Sequence, residues 1–248
     1  MNETPLFGLR FFAGTMDEAA QAALALIRAR RGAYAVTPNP EIVLRAEQDP
    51  ALFEALQEAA LCLPDGVGLV WASYLAGKPL DRRLPGIDFA AALMEKLAAE
   101  RGRVYLLGAR PGVAERAADR LREKYQGLTV AGARHGYFTE AEEARAIEEI
   151  AALRPELVLV CLGSPRQELW MRAQAPALGA GLLVGLGGAL DVFSGKIPRA
   201  PAAWQRLGLE WLYRLLREPK RIARVWRLPA IFRVALQERN RRNDCDKG

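Results

Sequence analysis

Five polar clusters in the chain combine residue types that can bind or activate a ligand, and each follows a short apolar run. The first is Thr37-Pro38-Asn39-Pro40-Glu41, after Ala33–Val36. Asn39 reads as a helix cap with Pro40 as the first helical residue. The same helix start is also an anion site. The second is Pro64-Asp65-Gly66-Val67-Gly68, where a carboxylate follows Leu61-Cys62-Leu63 and precedes another apolar run. Asp-Gly alone reads as a turn. A carboxylate set between apolar runs is also partly desolvated, which makes it a better base than a solvated one. The third, Gly108 to Gly112, is a glycine turn that lets phosphate approach a helix start. The fourth is Gly163-Ser164-Pro165-Arg166-Gln167-Glu168, with Ser164 as the expected cap of a following helix. Its Arg, Gln and Glu together suit a sugar or a base. The fifth, Gly185-Leu186-Gly187-Gly188-Ala189-Leu190-Asp191, leads into Phe193-Ser194-Gly195-Lys196-Ile197-Pro198-Arg199.

Several chemistries are excluded by the same residues. The dinucleotide fingerprint fails because its third glycine position is Leu190. A P-loop fails because Gly195-Lys196 is followed by Ile197 and not by Ser or Thr. His135 is the only histidine, so no mechanism with two histidines is open. It precedes Gly136-Tyr137-Phe138 in an expected loop and takes a structural or ligand-lining role. Cys62, Cys161 and Cys245 are too sparse for a disulfide framework or a structural zinc site and point to a reducing compartment. The one DxD sequence, Asp244-Cys245-Asp246, lies in a polar terminal tail. No metal and no cofactor are therefore expected.

These clusters need elements to hold them. Candidate strands are Ala33–Thr37, Arg103–Gly108, Leu128–Ala131, Leu157–Gly163 and Gly181–Gly187, rich in Val and Leu and buried on both faces. Helical patterns fall near 16–30, 50–60, 87–100, 112–125, 140–153 and 165–175. This alternation implies an α/β fold, a Rossmann-like parallel sheet flanked by helices. In such sheets ligands gather at the carboxyl ends of strands, where the five clusters stand. From about residue 200 no strand pattern remains. Residues 1–199 then form the core, and 200–248 a basic, amphipathic helical appendage.

The 248 residues are 51% hydrophobic, enough for a full core, and the net charge of +6 is unevenly placed. Between 214 and 242, ten Arg and Lys stand against Glu218 and Glu238. That segment carries +8 and leaves −2 for the rest. No run approaches 18 uninterrupted apolar residues, and the N-terminus lacks a basic signal-peptide start, so a membrane role would be peripheral. The basic segment admits a second class of function, nucleic-acid binding. A nucleic-acid binder, however, has no need of polar clusters after successive strands. A dehydrogenase is a third option, weakened by the failed glycine fingerprint.

Eight pieces taken in order resemble the WecG/TagA/CpsF glycosyltransferase family: TPNPEIV, PDGVGLVW, RLPGID, LLGARPGV, HGYF, LGSPRQE, GLGGALDVFSGKIPRAP and LEWLYRLLREPKR, over about residues 34–224. The resemblance implies an inverting, metal-independent transfer of an N-acetylmannosamine-type sugar. The donor would be a UDP-sugar and the acceptor a polyprenyl-diphosphate-linked GlcNAc, in wall-polymer or surface-polysaccharide synthesis. It places the protein on the cytoplasmic face of the membrane and leaves self-association open. Asp65 matches the family's catalytic aspartate and Thr37 its conserved threonine. Asn39 would help Thr37 position a sugar. Gly108, Gln167 and Asp191 are the expected nucleotide pocket, and Tyr137 is a further expected substrate-binding residue. Arg83, Arg214, Arg221 and Arg224 are the expected diphosphate partners. The spacing of Arg214, Arg217, Arg221 and Arg224 puts them on one face of a continuous helix, which Pro219 can kink.

Overall fold

The computed structural model describes residues 2–30, 32–217 and 229–245, without the side chains of Arg214 and 241–245. A hairpin opens the chain: β1 (Glu3–Leu6) pairs antiparallel with β2 (Leu9–Phe12). Its two-residue turn, Phe7-Gly8, has φ of 54° and 70°, as a primed hairpin turn requires. This hairpin is an addition to the strands expected from the sequence, because four residues per strand give too short a pattern.

The main sheet has six parallel strands: β3 (Ala33–Val36), β4 (Leu61–Cys62), β5 (Arg103–Gly108), β6 (Thr129–Arg134), β7 (Leu157–Cys161) and β8 (Leu182–Gly185). Their order is β4-β3-β8-β7-β5-β6. All five expected strands are present. β4 is new, a two-residue strand from the apolar run before Asp65.

The helices are α1 (Met16–Ala29), α2 (Pro40–Ala46), α3 (Pro50–Gln57), α4 (Val67–Leu75), α5 (Gly86–Ala99), α6 (Val113–Lys124), α7 (Glu140–Leu153), α8 (Arg166–Leu178) and the short α9 (Ala189–Phe193). After these come α10 (Ala202–Arg206), α11 (Glu210–Arg217) and α12 (Ala230–Cys245). Their starts follow local chemistry. Thr15 with Glu18 and Thr139 with Glu142 close capping boxes on α1 and α7. Asn39 caps α2 by accepting from the Ile42 amide, with Pro40 first in the helix as the sequence predicts. Ser164 does not cap α8. The cap position falls on Pro165 and makes no side-chain bond, so the hydroxyl is left inside the β7–α8 turn.

Strand residues alternate between the two faces. Val104, Leu106, Leu159 and Val184 pack with Ala23 and Ile27 of α1, Phe89 and Leu93 of α5, and Leu121 of α6. Tyr105, Leu107, Val158 and Leu183 pack with Leu52 of α3, Ile150 of α7 and Met171 of α8. The second face also takes Ile231 and Ala235, both fully enclosed, from α12. α12 lies along α4, and Lys78 pairs with its Glu238 at 2.8 Å. Among the described residues after 200 there is no strand, as expected, and the last helix shares the core of the body.

Because every strand of the main sheet runs the same way, the five polar clusters emerge along one edge. The chain leaving β3 turns to one face, where Val43 of α2 is buried. The chain leaving β8 turns to the other, where Ala189 and Leu190 are buried. Adjacent strands whose exits diverge leave a crevice between them, the place where parallel sheets bind ligands.

Candidate active site

Thr37 stands one residue beyond β3, on the floor of that crevice. It is buried, and its hydroxyl donates to the Gly185 carbonyl at the end of β8, 2.8 Å away. Asp65 follows β4, the strand beside β3, and is half-buried. Its backbone amide donates to the Pro38 carbonyl at 3.0 Å, tying the Asp65 turn to the Thr37 turn. Its Oδ2 accepts from the Gly86 amide at the start of α5, at 3.3 Å. An ionised carboxylate is an acceptor only, so this contact aims the group and leaves it further acceptor capacity.

Asp65 and Gly86 border a cavity of about 410 Å³, and Thr37 lies buried against Gly86. Asn39, Asp65, Arg83 and Gly86 line the cavity, with Leu186 and Ala189 from the β8 exit. Val67 and Trp71 of α4, Trp211 of α11, and Ile231 and Phe232 of α12 line it as well. The lining thus combines polar and charged side chains, Glu41 and Glu210 among them, with apolar and aromatic ones. Trp71 is 57% exposed and Tyr74, one turn further along α4, is 60% exposed.

A charged network closes one side. Arg83 pairs with Glu210 at 2.9 Å and also donates to the Gln205 carbonyl. Arg199 reaches the same carboxylate at 3.4 Å and Asp88 of α5 at 2.7 Å. Through these pairs residues 199–210 are fastened to the loop before α5.

The remaining predicted residues lie further along the edge. Gln167, buried in the first turn of α8, accepts from the Gly187 amide and donates to Glu168, each at 2.9 Å. Asp191 is paired with Lys196 at 3.0 Å. Gly108 has a φ of 133°, and a Cβ there would collide with the Cys161 backbone, so the glycine is required for β5 and β7 to meet. Tyr137 is exposed, in a loop held by Arg166, which donates to the Gly136 carbonyl and stacks on Phe138. Arg214 lies on α11, and Arg221 and Arg224 lie outside the described residues. The two described thiols are poor nucleophiles: burial pushes the Cys161 thiol up to about 12 and Cys62 higher still. Among the described residues no three of His, Cys, Asp and Glu are grouped to hold a metal.

The model of the glycosyl transferase WecG/TagA/CpsF family matches residues 4–244. This chain belongs to that family. Two relatives carry the same description, N-acetylglucosaminyldiphosphoundecaprenol N-acetyl-beta-D-mannosaminyltransferase. The protein from Bacillus spizizenii is 38% identical over 207 residues, 84% of this chain and 80% of its own length. That from Staphylococcus aureus strain MW2 is 33% identical over 207 residues, 83% of this chain and 81% of its own. Family membership decides against the nucleic-acid reading of the basic segment.

Of the residues expected at the site of this glycosyltransferase, Asn39, Asp65 and Arg83 line the cavity, and Thr37 is buried against Gly86 of the same cavity. The sequence reading missed Gly86, whose amide aims Asp65, and the Asp88–Arg199–Glu210 links around Arg83. Gly86 and Asp88 stand inside RLPGID, so the signal was present, but their partners are remote in the chain. A Cβ at Gly86 would lie 2.9 Å from the Thr37 hydroxyl oxygen and 3.1 Å from Leu186 Cδ2. Gly86→Ala is therefore expected to shift both Thr37 and Asp65. Turnover should fall about 10- to 100-fold, with a stability loss of about 1–3 kcal/mol. Steady-state kinetics and thermal unfolding would measure both, and wild-type turnover would detach Gly86 from the reaction geometry.

Proposed function

We propose that this glycosyltransferase moves N-acetylmannosamine from a UDP donor onto GlcNAc-diphospho-undecaprenol, with inversion. The observation that carries the reading is the mixed lining of the cavity: a carboxylate held by the Gly86 amide and an arginine share it with aromatic and apolar side chains. That mixture suits an acceptor with a sugar-diphosphate head and a prenyl tail. Asp65 takes the proton of the acceptor hydroxyl as its oxygen attacks the anomeric carbon. The bond to the diphosphate breaks on the opposite face, and UDP leaves with the electron pair. Inversion of an α-linked donor gives the β linkage in the relatives' names. Thr37 and Asn39 hold the crevice around the sugars. Gly108, Tyr137, Gln167 and Asp191 form the nucleotide end.

Charge on the leaving diphosphate is balanced without a metal, by arginines and helix starts. Arg83 takes part by exchanging Glu210 for phosphate oxygens, with Arg214, Arg221 and Arg224 adding charge from the C-terminal segment. No described helix is long and apolar enough to cross a membrane, so the lipid acceptor is met at the bilayer surface. The basic segment and the exposed Trp71 and Tyr74 suit such a surface. Incubation with a panel of UDP-sugars and a GlcNAc-diphospholipid, with and without EDTA, tests both halves. The expected product gains one N-acetylhexosamine by mass at an undiminished rate in EDTA. Loss of turnover in EDTA with recovery on magnesium or manganese would overturn metal independence. No product from any UDP-sugar would overturn the donor.

A further inference from the structure

We propose that Glu168 is a positioning residue for the nucleotide end of the site, acting through the Gln167 amide on the Leu186–Gly188 loop. This rests on the reading above that UDP lies along this edge. The two ends of the Gln167 amide are fixed from opposite sides. Its oxygen accepts from the Gly187 backbone, which can only donate, and its nitrogen donates to Glu168 Oε1, both at 2.9 Å. Removing the acceptor strands a buried amide nitrogen and releases the grip on Gly187. That loop matters in both directions. Leu186 and Ala189 line the cavity, and the strand before it carries the Gly185 carbonyl that holds Thr37. The backbone at Gly163, Gly187 and Gly188 is open, with no atom within 4 Å of where a Cβ would stand. Glu168 itself is 1% exposed and does not reach that opening, so its effect is indirect.

Glu168 Oε2 and the Ser164 hydroxyl are both sealed from solvent without another hydrogen-bond partner among the described residues. Oε1 is the acceptor for the Gln167 amide in either protonation state. Burial pushes the Glu168 carboxyl above its ordinary range, against the opposing pull of Gln167, Ser164 and the Arg45 cation.

The test compares Glu168→Gln, which keeps an acceptor and a donor in place, with Glu168→Met, which removes both. Donor KM, kcat, UDP affinity by calorimetry and hydrogen exchange at the Gly187 amide would be read. Glu168→Met is expected to raise the donor KM and the UDP Kd about tenfold, the loss of one hydrogen bond, with a smaller change in kcat. Its Gly187 amide should exchange faster. Glu168→Gln should restore all of these to within about threefold of wild type. A Met variant with wild-type donor KM and Gly187 protection would overturn the proposal. So would a folded Gln variant as impaired as the Met one, since an acceptor for the Gln167 amide would then not be enough. If the Met variant does not fold, the Gln variant decides alone by the same thresholds. A wild type that binds no UDP defeats the functional reading instead, and Gly187 exchange still decides the positioning.

Discussion

Replacing Asp65 by Asn should lower turnover about 100- to 10,000-fold, the usual loss on removing a general base. Asn keeps an oxygen that can accept from the Gly86 amide, now at 3.3 Å, so the turn should hold its shape. What disappears is the capacity to take a proton. The proposed nucleotide end of the edge, around Gln167 and Asp191, is left untouched, so UDP should bind with nearly unchanged affinity. Kinetics with saturating acceptor and calorimetry with UDP would separate the two. An Asn variant that turns over like wild type would show that Asp65 is not the base. Weakened UDP binding with intact turnover would place Asp65 on the donor instead.

Removing the chain from residue 200 should act on three properties at once. Glu210 is lost, so Arg83 loses its partner, and the cavity loses the wall formed by Trp211, Ile231 and Phe232. Turnover on a soluble short-chain acceptor should fall at least tenfold, because an open cavity no longer excludes water or orients the acceptor. Binding to anionic vesicles at low salt should also fall steeply. Each basic residue near such a surface contributes about 1 kcal/mol, and residues 214–242 of the deleted segment carry a net +8. The third effect comes from the packing of α12. Ile231 and Ala235 are enclosed in the core face that also holds α4, so their loss uncovers apolar surface. Burial of an isoleucine contributes about 1.5–3 kcal/mol. The truncated protein should stay cooperative with a lower Tm, by roughly 2–4 °C for each kcal/mol lost. Full activity of the truncated protein on a soluble acceptor would defeat the active-site role of the segment. Full-length protein that ignores anionic vesicles would defeat its membrane role.

The sequence by itself determined what depends on neighbours along the chain. Runs such as Leu157–Cys161 are wholly apolar, so they had to be strands covered on both faces. Asn39-Pro40 specified the start of α2, and Asp65 was legible as a carboxylate between two apolar runs. Two short features escaped because a pattern needs length. These are the β1–β2 hairpin and the two-residue β4, which places Asp65 beside Thr37. Ser164 departs from the cap position expected for it, because Pro165 takes that position at the start of α8.

Only the tertiary structure decided which clusters share a site. Thr37 meets Gly185 across 148 positions because β3 and β8 are neighbours in the sheet, an order that no local pattern encodes. Arg83 meets Glu210 across 127 positions because residues 199–210 fold back over the start of α5. The physical reason is common to all these contacts. Local geometry follows from backbone preferences and hydrophobic period within a few residues. Contacts between distant residues follow from the one strand order and helix docking that bury every apolar face together.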